Sequence, residues 1–157
     1  MKQAILINLD EVLSNSLHRK QFIEEGSRKD WDSYFELANK DTINPWCRAL
    51  IYSVNSNNMT SILFSCRPSL YLQQTNKWLL GNRIYPYSYN LLVKPEKCSS
   101  FNFEEIKRVI YDSIKDQYKI IFAVDSKTET WNALDVGVLK YENNEEKGEK
   151  TNYELSK

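Results

Sequence analysis

Apolar residues in this chain fall into short runs of strand length, bounded by polar residues and separated by longer amphipathic segments. A strand-length run without helical periodicity is typical of a strand buried on both faces of a sheet. Five stretches have this character: 4–9, 61–65, 90–93, 120–124 and 136–141. They predict the strands of a largely buried sheet.

The segments between these runs show helical spacing and helix-start signals. Asn44-Pro45 is a cap residue followed by proline at the first helical position, and Asn102 with Glu105 three residues later resembles a capping box. Ser16 suits an N-cap position. Helices are therefore expected over about 16–25, 29–39, 45–54, 68–81, 102–114 and 128–134.

Strands that alternate with amphipathic helices predict an α/β domain with a mostly parallel sheet and helices on both faces. A chain of 157 residues suits one such domain. We expect the domain to span 1–141, with a small helical insert at about 16–42. The polar segment 142–157 is expected to be a disordered tail.

Composition places the chain among globular proteins, with 41% hydrophobic and 27% charged residues. No apolar run reaches the length of a membrane span, and the apolar stretch near the N-terminus is too short for a signal peptide. The three cysteines are odd in number and include no C-x-x-C pair, which indicates reduced thiols. These features predict a cytoplasmic protein without a membrane partner.

Charge is balanced, with 21 Lys and Arg residues against 21 Asp and Glu residues. Bulk nucleic-acid binding requires a broad basic surface, which a balanced chain does not predict. A small site for one phosphorylated end remains compatible with this balance.

Ligands of parallel α/β sheets bind beyond the carboxyl ends of the strands. The polar residues that follow the predicted strands are therefore the candidate site residues. Asn8 and Asp10 follow the first strand, Ser65 and Arg67 the second, and Asp125 the strand at 120–124. Two lysines, Lys94 and Lys107, lie between the last two groups, and Glu129 comes four residues after Asp125.

The order of these residues resembles the four motifs of the haloacid-dehalogenase (HAD) phosphohydrolases: D-x-D-x-[TV]-[LV], Ser or Thr, a lysine, and an acidic pair. Within that superfamily, the chain is similar to the 3′-phosphatase domain of phage polynucleotide kinases and their small stand-alone relatives. This likeness covers roughly residues 3 to 141. It rests on His18-Arg19, the segment 29–35, Ser65-Cys66-Arg67 and Trp131.

The resemblance implies a three-layer, Rossmann-like (HAD-like) fold and a role for each matching residue. Asp10 matches the acid/base aspartate and Ser65 the phosphate-binding hydroxyl. The motif lysine is Lys107, with Lys94 as the alternative. A Mg²⁺ cofactor is implied on Asn8, Asp10, Asp125 and Glu129, and Arg67, Lys94 and Trp31 are candidate substrate contacts.

Asn8 departs from the family pattern because it occupies the position of the nucleophilic aspartate. A carboxamide is a poor nucleophile and a neutral metal ligand, so the change removes an attacking oxygen and one negative charge. Ser126 also stands where the similar proteins carry a second Asp. Asn8 is a site residue by its position, but its amide is expected to impair catalysis.

Two functions remain open at this stage. The first is a disabled homologue that binds a phosphorylated small molecule, a nucleic-acid end or a protein partner. The second is a Mg²⁺-dependent phosphomonoesterase for nucleotides or nucleic-acid 3′-phosphates, in which Asn8 is an inactivating substitution.

Each candidate also has an ordinary structural interpretation. Asn8 and Asp10 suit turns, Ser65 can cap a helix, and Trp31 can anchor a core. His18 is the only histidine, which argues against Ser-His-Asp hydrolysis and histidine-rich zinc sites.

Overall fold

A computed structural model describes residues 1–24, 26, 28–98, 100–143 and 152–156. Its main sheet has six strands in the order β5-β4-β1-β6-β7-β8, and β2 and β3 form a separate ribbon. The strands are β1 Lys2–Asn8, β2 Ser14–Asn15, β3 Thr42–Ile43, β4 Thr60–Pro68, β5 Asn90–Lys94, β6 Tyr118–Asp125, β7 Val138–Glu142 and β8 Asn152–Ser156.

Helices cover both faces of this sheet. They are α1 Trp31–Glu36, α2 Pro45–Ser56, α3 Leu72–Gly81, α4 Phe103–Ile114 and α5 Glu129–Ala133. Side chains of α2 and α3 share one hydrophobic core with β1, and those of α4 and α5 share the other. Because β5, β4, β1, β6 and β7 run parallel, the predicted α/β class is confirmed.

The central position of β1 explains its continuous apolar sequence. Ile5 and Ile7 enter the core beneath α2 and α3, whereas Ala4 and Leu6 enter the core beneath α4. Successive side chains of a strand point to opposite faces, so a strand covered on both sides must be apolar throughout. The same packing places Asn8, the last residue of β1, at the middle of the sheet edge.

The helix-start signals in the sequence lie at the observed starts of α2 and α4. Pro45 is at the first position of α2, directly after Asn44. At α4, the Asn102 side chain accepts from the Glu105 backbone N–H at 2.9 Å, and the Glu105 carboxylate accepts from the Asn102 backbone N–H at 2.8 Å. This reciprocal box fixes where α4 begins.

Two regions differ from the sequence expectation. The helix expected after Ser16 is a 3₁₀ turn, Leu17–Phe22, and its Arg19 is fully buried and hydrogen-bonded to the core residue Asp41. The polar segment expected to be a disordered tail contributes β8, which pairs antiparallel with β7. An edge strand offers unpaired backbone groups for such pairing. Residues 144–151 and 157 lie outside the described part.

In the described ranges, no helix has the length and apolar character required to cross a membrane.

Candidate active site

The ends of three neighbouring strands bring the predicted site residues together. Strand β1 lies between β4 and β6 in parallel register, so Asn8 ends beside Ser65 of β4 and Asp125 of β6. The Asn8 side-chain Nδ2 donates a hydrogen bond to Asp125 Oδ1 at 2.8 Å, although 117 positions separate the two residues. The expected convergence at the carboxyl edge is therefore present.

Asp10 accepts hydrogen bonds from three residues. Its carboxylate accepts from Ser65 Oγ at 2.7 Å, from Arg67 Nη2 at 2.7 Å and from Arg19 Nη2 at 2.7 Å. Burial alone would raise the pKa of Asp10, but Arg67 and Arg19 outweigh this and hold the pKa well below its usual range. In this arrangement the carboxylate stays ionised near neutral pH, so it accepts hydrogen bonds and has no proton to donate.

A buried carboxylate behind Asp10 was not anticipated from the sequence. Asp41 accepts from Arg19 Nε at 2.8 Å and Nη2 at 2.6 Å, and from Ser14 Oγ at 2.7 Å. His18 Nε2 lies 2.9 Å from the same carboxylate. Asp41 directly precedes β3, and the pairing of β3 with β2 carries it to Ser14. The contact between Asp41 and Ser14 depends on this non-local pairing of strands, so local sequence patterns do not predict it.

Lys107 is the lysine that reaches the site. Its Nζ lies 2.9 Å from Asp125 Oδ2, and its side chain is almost fully buried. Burial would lower the pKa of Lys107, but the ion pair with Asp125 and the nearby Glu104 carboxylate raise it. Lys94 lies half-buried at the end of β5 and forms none of the ion pairs found in the described residues. Geometry therefore favours Lys107 over Lys94.

Asp125 receives further donors from its own strand–helix turn. The Trp131 indole Nε1 donates to Asp125 Oδ2 at 2.8 Å, and the Ser126 backbone N–H donates to Oδ1 at 2.8 Å. Together with Asn8 and Lys107, these groups surround both carboxylate oxygens. The Trp131 of the resemblance thus orients Asp125 instead of contacting solvent.

Glu11 carries an unexpected contact. Its Oε2 accepts from Ser126 Oγ at 2.5 Å, and its backbone has φ +75°, a region that side-chain-bearing residues rarely adopt. The contact links the turn after β1 to the turn after β6.

Trp31 joins the helical insert to α4. Its ring meets Phe103 edge-on at 5.1 Å between centroids and stacks on Phe35 at 6.0 Å. Lys29 Nζ lies 5.6 Å from the Trp31 ring centroid. Because these contacts occupy a half-buried side chain, Trp31 serves to dock the insert, and its expected role in substrate stacking stays a prediction.

The side chains present do not fit the Mg²⁺ site that the resemblance implies. Both Asp10 oxygens and both Asp125 oxygens already accept from nitrogen or hydroxyl donors, and Asn8 presents an N–H to Asp125. Glu129 is exposed, and its pKa is lowered chiefly by a hydrogen bond from its own backbone amide. Across the described residues, no three His, Cys, Asp or Glu side chains form a metal-holding group.

Solved structures share this fold at low sequence identity. A chain of the Pnkp1/Rnl/Hen1 complex aligns with a TM-score of 0.71 and 19% identity, over 89% of this chain and 46% of that one. A predicted phosphatase from Clostridium acetobutylicum gives 0.65 and 10%, over 89% and 84%. The putative HAD-hydrolase YfnB from Bacillus subtilis, solved with magnesium, gives 0.61 and 7%, over 88% and 86%.

These likenesses confirm the expected HAD-like fold, which the chain shares with a chain of the Pnkp1 complex. The chain spans about half the length of the Pnkp1 chain that it matches. No protein-family model matches the sequence, and no curated protein matches it.

Proposed function

We propose that this chain is a catalytically impaired HAD-like phosphatase homologue that binds a phosphorylated ligand at the carboxyl edge of its sheet. The observation that carries the proposal is the hydrogen bond from Asn8 to Asp125 at 2.8 Å. At the position of the attacking carboxylate, the chain presents an amide whose N–H is committed to a neighbour. Ser65, Arg67 and Lys107 nonetheless remain at the edge.

The charge balance of the edge supports phosphate binding without a metal. An aspartate at position 8 would add a carboxylate close to Asp125, and a divalent cation would be needed to offset both it and the phosphate charge. Asn8 removes that carboxylate. The raised pKa of Lys107 and the permanent charge of Arg67 keep both groups cationic at neutral pH, each paired with a carboxylate, Asp125 and Asp10 respectively. A phosphate would therefore require rearrangement of side chains but no Mg²⁺.

The ligand class that we favour is a nucleotide or a nucleic-acid 3′-phosphate. This choice rests on the resemblance and on a structural neighbour that belongs to an RNA repair complex. That neighbour also acts in a protein assembly, so a protein partner is a second element of the proposal. A cytoplasmic location remains a prediction from the sequence.

The alternative function is a Mg²⁺-dependent phosphomonoesterase in which Asn8 is an inactivating substitution. It is favoured by two close contacts at the same sheet edge, Ser65 with Asp10 and Lys107 with Asp125, on either side of Asn8. Among the described residues, no other side chain at this edge offers an activated nucleophile. Burial raises the pKa of the neighbouring Cys66 to about 12, so its thiolate is scarce at neutral pH.

Turnover of p-nitrophenyl phosphate and of a 3′-phosphorylated oligonucleotide tests both functions. The unaltered protein is expected to remain near the uncatalysed background, since losing a nucleophile in covalent hydrolases costs about four to six powers of ten in rate. Asn8→Asp places a carboxylate beside Asp125 and is expected to create Mg²⁺ binding, measured by calorimetry. If the alternative is correct, the same variant also gains turnover that EDTA abolishes.

A folded Asn8→Asp variant that binds Mg²⁺ but stays inactive would favour the impaired homologue. Conversely, Mg²⁺-dependent turnover by the unaltered protein that disappears in Asp10→Ala would contradict the assigned roles, because a different residue or water would then be the attacking group.

A further inference from the structure

Acidic residues are distributed very unevenly along this neutral chain. None of the 54 residues from 42 to 95 is Asp or Glu, although the chain contains 21 acids in 157 residues. The same segment carries five basic residues: Arg48, Arg67, Lys77, Arg83 and Lys94. It forms α2, β4, α3 and β5. These two helices and the two strands at one end of the sheet therefore carry no acidic side chains.

The amino ends of the parallel strands border an open hollow of about 1200 Å³, which this segment lines together with residues of β1 and β6. Lys2, Thr60, Asn90 and Tyr118 line it at the starts of four strands. Because β1 has seven residues at about 3.3 Å each, the hollow lies roughly 20 Å from Asn8, at the opposite edge of the sheet. None of its lining residues is acidic.

Two tyrosines form an exposed stacked pair at the rim of the hollow. The rings of Tyr85 and Tyr87 are 5.7 Å apart and 11° from parallel, and Tyr87 is 83% exposed. Pro86 lies between them and restricts the backbone. The Tyr52 hydroxyl of α2 donates to the Arg83 carbonyl and ties this loop to the helix. The aromatic face is thus held in place while open to solvent.

We propose that this surface, defined by Tyr85, Tyr87, Arg83, Lys2 and the amide-bearing Asn57, binds single-stranded nucleic acid. Stacking of bases on aromatic rings, together with a positive groove, is the usual physical basis of sequence-tolerant binding to single strands. Amide side chains can donate to phosphates and accept from base edges. No carboxylate lines the hollow itself, so a phosphate there meets no directly adjacent negative charge.

Nucleic-acid binding at this surface is compatible with the balanced net charge of the chain. Net charge predicts binding only when both signs are mixed over the surface, whereas here the acids lie in other segments. With few basic side chains available, binding is expected to be weak, with a Kd of about 10⁻⁴ to 10⁻⁵ M at moderate salt. It needs no terminal phosphate and does not depend on the site around Asn8.

Fluorescence anisotropy with a labelled oligothymidylate that ends in a 3′-hydroxyl tests the proposal. Tyr87→Ala is expected to weaken binding about ten-fold, whereas Tyr87→Phe retains it because the ring persists. Arg83→Gln is expected to lower the slope of log K against log salt by about 0.7, the value for one phosphate contact on a single strand. Lys97→Gln, an exposed cation at the other sheet edge, is the matched control and leaves the slope unchanged.

The outcomes separate this surface from the site at the carboxyl edge. Ser65→Ala is expected to leave binding of the hydroxyl-ended strand unchanged, and Tyr87→Ala is expected to leave the thermal shift by inorganic phosphate unchanged. No binding at millimolar protein, or binding that responds to Ser65→Ala but not to Tyr87→Ala, would overturn the proposal. Binding of a protein but of no oligonucleotide at this surface would also overturn the proposal.

Discussion

At the scale of single residues, one change of functional group alters the character of the site. An aspartate at position 8 would repel Asp125 at hydrogen-bonding distance, but the Asn8 amide donates to it instead. The carboxylate that remains, Asp10, is compensated by Arg19 and Arg67. The charges of the site are therefore balanced by the protein's own groups.

Asp10 should make a pH-dependent contribution to stability. Its pKa is lowered in the folded protein, so the contribution is fully present above the usual aspartate value of 3.8 and is lost as the pH falls below that value. Asp10→Asn is expected to cost about 3 kcal/mol of unfolding free energy at pH 7, because two buried guanidinium groups lose a partner. Urea denaturation from pH 7 down to pH 3 measures the difference.

The difference between the wild type and Asp10→Asn should be constant near neutral pH and shrink below about pH 4. Asp112→Asn is the control, since it removes an exposed ion pair with Lys115. Its effect should stay within about 0.5 kcal/mol. An Asp10→Asn cost that does not change down to pH 3 would contradict the lowered pKa.

At the scale of elements, α4 links local sequence to the site. The capping box at Asn102 and Glu105 fixes the start of the helix, and Lys107 lies within the next turn. Trp31 packs against Phe103 at the same helix start and secures the insert there. The position of the lysine therefore depends on the cap and on this aromatic contact.

Asn102→Ala is expected to lower the unfolding free energy by about 1 kcal/mol, the usual cost of losing an N-cap side chain. Asn102→Ser is the matched substitution, since serine can accept the same hydrogen bond, and it should retain most of the stability. Chemical denaturation measures both. Equal losses in the two variants would show that the side-chain oxygen at the cap is unimportant.

At the scale of the whole molecule, the two edges of the sheet carry different chemistry. The carboxyl edge gathers buried, paired charges around Asn8, Asp10 and Asp125, whereas the hollow at the amino edge is open, partly aromatic and lined without acidic residues. The parallel strands separate these surfaces by their own length. The two proposed ligand surfaces therefore do not overlap.

Inorganic phosphate should stabilise the folded protein in the presence of EDTA. If the Kd is about 1 mM, phosphate at about 10 mM adds roughly 1.4 kcal/mol by preferential binding to the folded state. For a protein of this size, that corresponds to an increase in Tm of about 3–6 °C. Differential scanning calorimetry measures it, with sodium chloride at equal ionic strength as the control.

A shift that appears only with added Mg²⁺ would contradict metal-free binding, and no shift under either condition would show that the edge does not hold phosphate.

The sequence by itself determined the alternation of strands and helices, the caps of α2 and α4, and the order of the site residues. These features depend on neighbours within a few positions, where periodicity and capping chemistry act. A resemblance in motif order then gave the fold, because strand ends of a parallel sheet meet at one edge.

Only the tertiary structure decided which groups meet there. The ion pair of Lys107 with Asp125, the pairing of Arg19 with Asp41, the packing of Trp31 on Phe103 and the pairing of β8 each depend on contacts between distant segments. Arg67 and Asp10 are 57 positions apart, and their contact depends on the register of β4 against β1. The periodicity of side chains along a strand does not specify the register between strands. The pairing of opposite charges at the site can therefore be recognised only after the strands are paired.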